Sequence, residues 1–559
     1  MIDFQSELNT EQFSIISDPR DLLVNACPGS GKTRTLVYKI AYEIANSKIS
    51  PRKIIAFTYT NAASLEIKER LIALGIPLED AWIGTIHSFC LEWILRPYHI
   101  YDDRIKNGFE IIKPRQVSEL IKQIASELNP PQDITPYDCE YYFTRTEIKL
   151  TCSNLRKHTT IRSVIEELHR RVLERNQINY ELVLKISFDL LCSIPQISTI
   201  LSKHFSHILI DECQDTKDIQ YGIVGKIISA NPSAMQLFVV GDPNQAIYAG
   251  IGAADIDHKT LCELCNKAII ESSLVNNYRS SSRLINFFQR FDSLGRTLNA
   301  SSTGISGYPS EVKHLCKVSS NNIMLTANSI IQHNIDDLGI DAENICILAP
   351  QWGHIMQCAR QAQSANFNYE LNLEMSSPFG YDIDDPWLNL AKIILTEPSS
   401  ALYHKRRRWA QAFIGLMSNR EAQLPELSIS SLLKACNHYI SNEQDGIKYI
   451  KDGLLTVCRS LRFNQSTLDT SVRDVEEFIE SASAKITENK SKYGYNTATT
   501  AEFKRLYLET SGVNISTIHG SKGKEFDTVI AFGLLEDYVP HWSATNRDES
   551  ASRLLYVIS

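Results

Sequence analysis

A chain of 559 residues is too long for one hydrophobic core, and its length predicts roughly three or four domains. With 43% hydrophobic and 22% charged residues, and no apolar run near the roughly 20 residues needed to cross a bilayer, nothing predicts a membrane segment and the chain reads as soluble. A net charge of −8 excludes a globally basic surface, so any nucleic-acid track must be a local feature.

Residues 1–9 lack the basic start and apolar stretch of a secretory signal, which makes the cytoplasm the expected compartment. Thirteen scattered cysteines suit buried small apolar residues in a reducing compartment better than a disulfide framework. Cys262 and Cys265 form a Cys-x-x-Cys with no second pair at metal-site spacing, and a core helix is expected there rather than a zinc or iron-sulfur site.

Taken in chain order, Leu22-Leu23-Val24 reads as an apolar strand, followed by a Gly-rich turn and a helix through Leu36, Val37 and Ile40. Strand-like runs follow at Ile54–Phe57, Ile208–Ile210 and Leu237–Val240, which suit a buried parallel sheet with helical crossovers, an α/β fold. A second sheet would use Ile345–Leu348 and Val529–Phe532. Residues 93–200 and 376–508 read as helical insertions, and Ser483–Thr500 is polar enough to be a mobile loop. The run Lys405-Arg406-Arg407-Arg408 before Trp409 offers phosphate and base contacts, weighed against an ordinary solvated helix face.

The turn carries the chemistry. The loop Cys27-Pro28-Gly29-Ser30-Gly31 can surround phosphate oxygens with its backbone, and the following helix N-terminus adds positive potential. Lys32 would reach the β- and γ-phosphates of ATP, Thr33 would offer a hydroxyl to Mg²⁺, and Arg34 sits where it could lie beside the base. The strand Ile208-Leu209-Ile210 ends in Asp211-Glu212, so Asp211 can meet the same metal and Glu212 can act as general base toward the attacking water.

These residues resemble the UvrD/Rep/PcrA group of superfamily-one helicases, whose motifs recur here in family order. The resemblance implies P-loop NTPase architecture: a first RecA-like domain at 1–92 and 201–278 with the insertion 93–200, and a second at 279–375 and 509–559 with the accessory insertion 376–508. Leu8 to Gln12 looks like the adenine-reading motif, with Gln12 on the base. The strings Thr58 to Ala63 and Gly84 to Phe89 are similar to motifs that grip single-stranded DNA, which points to Thr58, Tyr59, Asn61 and His87. By the same resemblance Gln245 senses the γ-phosphate, Tyr278 stacks on adenine, Arg279 reaches the γ-phosphate, Glu525 lies near the ribose and His519 near a DNA phosphate. The implied partner is single-stranded or partly duplex DNA, and the implied direction is three-prime to five-prime.

Two departures stand out. After Tyr248 the family pattern has a small residue, an aromatic, an arginine and Gly-Ala, whereas this chain reads Ala249-Gly250-Ile251-Gly252-Ala253. A weaker grip on DNA follows, or a substitute aromatic such as Tyr59 or Trp82. Ser552 to Ser559 resembles the start of the last motif without its usual Thr-Arg-Ala, so the second sheet is expected to be incomplete and hydrolysis impaired relative to ATP binding. Both departures suit a second reading: an ATP-switched regulatory subunit beside a nuclease subunit, as in the helicase-like component of two-gene anti-phage systems such as Gabija.

Overall fold

The computed structural model describes residues 3–559 apart from 47–51, 249, 251, 254–255, 302–305, 365–366, 370, 374–384, 401, 421–426, 462, 464, 494–498, 506, 508–511 and 542–545. The chain divides into two compact units, Met1–His314 with Val539–Ser559, and Leu315–Tyr538.

The first unit is built on six parallel strands: β1 (Leu22–Ala26), β2 (Lys53–Phe57), β3 (Ala81–Gly84), β4 (Phe205–Ile210), β5 (Gln236–Gly241) and β6 (Ile270–Leu274). They stand in the order β6-β1-β5-β4-β2-β3. Val24, Ile55, Ile208, Leu209, Val239 and Val240 are all buried, as a parallel sheet covered on both faces requires. The order also sets β1, β5 and β4 side by side, so the loops at their carboxyl ends meet at one sheet edge. Helix α1 (Thr10–Ser17) starts in a capping box: Asn9 Oδ1 accepts from Gln12 N at 2.6 Å while Gln12 Oε1 accepts from Asn9 N at 3.4 Å. Helix α2 (Lys32–Asn46) follows β1, and α3 (Asn61–Ala73) follows β2 with Thr60 as its cap.

Within residues 93–200 the expected helices occur at Pro114–Leu128, His158–Glu174, Tyr180–Ser193 and Pro195–His204. An antiparallel hairpin, Tyr141–Phe143 with Ile148–Leu150, is an addition, because runs of three residues show no readable alternation. This segment shares one core with the sheet, in which Ile124, Ile165 and Leu168 cluster with Ile208, Ile223 and Val239. The hairpin is fastened to the start of α4 (Asp218–Ser229): Arg145 Nε donates to Asp218 Oδ1 at 2.9 Å, and next to it Lys217 Nζ donates to Glu181 Oε1 at 2.5 Å.

The first unit extends further along the chain than its sequence suggests. The boundary expected at 278/279, with 509–559 in the second sheet domain, differs from the structure, in which 279–314 and 539–559 pack with the first unit. Local contacts explain it: the Asn277 side chain is bonded to Pro28 O, and Tyr556 on the last helix, Arg547–Ile558, meets Phe288 edge-on at 5.6 Å.

In the second unit β7 (Ile345–Ala349), β8 (Leu371–Leu373), β9 (Val513–Thr517) and β10 (Thr528–Ala531) form a parallel sheet in the order β8-β9-β7-β10. Its helical part packs around Trp387, Phe413, Leu454 and Val475. The expected loop at Ser483–Thr500 is helical over its first part, since the helix Gln465–Tyr493 continues through it, and 494–498 lie outside the described residues. The basic run falls on α6 (Tyr403–Arg420), which packs beside α5 (Pro386–Leu395). Arg406 is buried there and donates to Ile393 O at 3.0 Å, to Thr396 O and to Asn437 Oδ1, closing the open carbonyls at the end of α5. It is a helix cap rather than a phosphate contact. Arg406→Ala is expected to destabilise the protein by about 2–4 kcal/mol in urea unfolding, because it orphans buried acceptors, whereas exposed Arg407→Ala should change stability by less than about 0.5 kcal/mol.

Cys262 and Cys265 lie on the helix His258–Cys265, with Cys265 in the core and Cys262 Sγ 3.5 Å from His258 Nε2. No group of three or more His, Cys, Asp or Glu at metal-binding distance occurs among the described residues.

Candidate nucleotide site and nucleic-acid interface

The loop between β1 and α2 turns on Gly29 (φ 65°) and Gly31 (φ 81°), a backbone region that side chains disfavour. Space is short as well: a Cβ on Gly29 would lie 2.6 Å from Arg279 Cβ, and one on Gly31 2.9 Å from Gln12 Nε2. Pro28 has no N–H for a phosphate, and its carbonyl instead accepts from Asn277 Nδ2 at 2.7 Å. Tyr278 N donates to Gly29 O at 2.9 Å, so the segment after β6 braces the loop from outside. Asn277 is fully buried and also receives Arg279 N and Ser280 N at 2.9 and 2.8 Å, a bracing role missed in the sequence.

Gln12, expected on the base, is buried and donates through Nε2 to Ser30 O at 3.0 Å, and Asn9 Nδ2 donates to the Tyr278 hydroxyl. Both ends of the Gln12 amide are therefore committed to the loop and to the α1 cap. Arg34 is exposed and reaches Glu7, with Nη2 2.6 Å from Glu7 O.

Lys32 faces the carboxylates at the ends of β4 and β5. Burial pulls its ammonium down, but Glu212, Asp242 and Asp211 outweigh that and hold its pKa above the ordinary lysine value. Asp211 is buried, with its amide on Phe57 O at 2.9 Å. Burial, and then the Glu212 charge, push its carboxyl up against the pull of Lys32. Asp211 and Thr33 each offer a hard oxygen donor, the kind of ligand that suits Mg²⁺.

Glu212 sits in the left-handed region at φ 49°, which turns its carboxylate out of the strand direction. Gln214, also absent from the sequence-based candidates, donates to Glu212 Oε2 at 2.6 Å and accepts from Asp242 N at 2.9 Å. One amide thus links the ends of β4 and β5. The approach is close enough that a Cβ on Gly241 would stand 2.4 Å from Gln214 Oε1. Gln245 follows on a short 3-10 turn, with its amide bonded to Asp242 O at 2.8 Å.

This edge joins a strand–glycine-loop–helix unit to a strand ending in two carboxylates, and the match to known proteins follows it. Residues 8–258 match the UvrD/REP helicase N-terminal domain, and residues 496–558 match the UvrD-like helicase C-terminal domain. The chain belongs to the UvrD-like helicase family. It is 30% identical over 321 residues to the ATP-dependent DNA helicase SRS2 of Saccharomyces cerevisiae, covering 50% of this chain and 26% of that protein. It is 30% identical over 295 residues to the ATP-dependent DNA helicase PcrA of Staphylococcus aureus (50% and 39%), and 30% over 288 residues to PcrA of Bacillus subtilis (49% and 38%). The matched part spans well under half the length of these curated relatives.

Among the candidate DNA-facing residues of this UvrD-like chain, Tyr59 is 46% exposed and stacks on Tyr248, with ring centroids 5.7 Å apart and planes 17° apart. A Cβ on Gly250 would meet nothing within 4 Å, and Ala249 and Ile251 lie outside the described residues. Trp82 packs on Phe57 and Phe89 and donates to Glu92 Oε2 at 3.0 Å, so it serves the core, leaving Tyr59 as the available aromatic. Thr58 is buried and donates to Thr60 O at 2.9 Å, while Asn61 opens α3. Burial, helped by Lys217, pushes His87 down to about 4, so at neutral pH it can offer a hydrogen bond to a phosphate but no charge. His519 and Glu525 belong to the second unit, between β9 and β10.

Proposed function

We propose that this chain hydrolyses ATP and couples the reaction to movement along single-stranded DNA in the three-prime to five-prime direction. The observation that carries the reading is Lys32 set among Asp211, Glu212 and Asp242 at the edge where β1, β4 and β5 end. ATP would lie with its phosphates in the loop 27–31 and its γ-phosphate toward Lys32. Thr33 and Asp211 would hold Mg²⁺, which supplies positive charge to the phosphate oxygens when bound. Glu212, steadied by Gln214, takes a proton from the attacking water. Arg279 supplies charge to the transition state, Tyr278 lies against the base, and Gln245 reports the γ-phosphate to the DNA side.

In the first unit, Tyr59 and Tyr248 are proposed to receive a DNA base, with Thr58, Asn61 and His87 toward the backbone; in the second unit, His519 is separately proposed to meet a DNA phosphate. Gly250→Trp has room for a side chain and restores the aromatic that the family pattern carries. It is expected to tighten binding to an oligo-dT by about 5- to 150-fold, matching roughly 1–3 kcal/mol for one stacked base. Equal affinity and equal DNA stimulation of turnover in both proteins would overturn the weaker-grip reading.

The bare Gly250 favours a second reading, in which ATP occupancy switches a cytoplasmic regulatory subunit that acts with a nuclease in anti-phage defence. One measurement separates the two: phosphate release with and without single-stranded DNA. Turnover that rises with DNA supports the motor; tight ATP binding with slow turnover that DNA leaves unchanged supports the switch.

A further inference from the structure

Arg296 belongs to no motif described above. Its side chain is 8% exposed and lies between Asp242 and Asp292, both fully buried. Nη1 donates to Ala26 O at 3.0 Å, and Nη2 donates to Asp292 Oδ1 at 2.9 Å, Asp242 Oδ1 at 3.3 Å and the Tyr556 hydroxyl at 3.4 Å. Ala26 is the last residue of β1 before the phosphate loop, and Asp242 directly follows β5, three residues ahead of Gln245. Because β1 and β5 are paired neighbours, one guanidinium spans the two strand ends that carry the loop and Gln245. A second tie runs beside it: Asn244 Oδ1 accepts from Ser293 N at 2.9 Å and Ser293 Oγ at 2.6 Å, and Asn244 Nδ2 donates to Asp292.

Buried carboxylates are costly unless they are paired and hydrogen-bonded, and a planar fork can serve several acceptors where an ammonium acts as a point charge. The phosphate loop has separate support from Asn277 and Tyr278, so losing the Arg296 bridge frees the Gln245 side of the site more than the phosphate side. We infer that Arg296 is a positioning residue that fixes Gln245 against the γ-phosphate by tying Asp242 to Ala26, and so governs turnover rather than ATP affinity. The inference rests on the ATP hydrolysis proposed above.

A double-mutant cycle between Arg296→Lys and Gln245→Ala tests it, with kcat and KM for ATP and the Kd of a fluorescent ATP analogue as readouts. Arg296→Lys is expected to lower kcat about tenfold or more, to keep Kd within about threefold, and to add less than about twofold once Gln245 is Ala. Ser293→Ala, at an exposed position, removes only one hydroxyl from the second tie. It should show a smaller loss with the same dependence on Gln245, and it carries the test if Arg296→Lys does not fold. Additive losses, or a loss that appears in Kd, overturn the inference. A wild-type chain that neither binds nor hydrolyses ATP overturns the underlying reading, and that control is scored before any variant.

Discussion

Lys32→Ala is expected to reduce ATP turnover by about 10²–10³-fold or more, the range seen when a preorganised charge is removed from a transition state. The loss should exceed that of a simple binding contact, because Lys32 balances Asp211, Glu212 and Asp242 in addition to its proposed contact with phosphate. Without it these groups repel one another and the incoming nucleotide, so analogue binding should weaken too. Phosphate release with saturating single-stranded DNA measures the effect. Turnover within threefold of the wild type would mean that the γ-phosphate lies elsewhere.

Glu212→Gln should separate binding from chemistry. The amide keeps an oxygen that can accept from Gln214 Nε2, so the left-handed turn at φ 49° should survive, but the group no longer takes a proton. Turnover is expected to fall by about 10²–10⁴-fold. Analogue binding should be retained or tightened, since one of the negative charges crowding Asp211 is gone. Full turnover in this variant would assign the base to another group.

Much of this site can be read from the chain because its parts are local. The strand Leu22–Ala26, the glycine turn and α2 are contiguous, and the Asp211-Glu212 pair ends an unbroken apolar run. β6 reads Ile-Glu-Ser-Ser-Leu and β9 Val-Asn-Ile-Ser-Thr, polar enough to hide among loops, and both escaped the sequence-based reading. Gln214, Asn277 and Arg296 escaped for a different reason. Each acts by joining distant segments, as Arg296 does with Ala26, and no spacing rule reaches across such a gap. The domain boundary at 278/279 moved for the same cause, because contacts of Asn277 and Tyr278 with the loop keep the following segment in the first unit.

The insertion between β3 and β4 has a mechanical consequence. Its apolar residues are continuous with those of the sheet, and its hairpin is pinned through Arg145 to Asp218, a few residues beyond Glu212. A lever with a stiff root carries displacement to its anchor with little loss, whereas a limb on a soft hinge absorbs it. A push on this hairpin would therefore be felt at Glu212, the carboxylate proposed to activate water, and strain there would travel back along the same path.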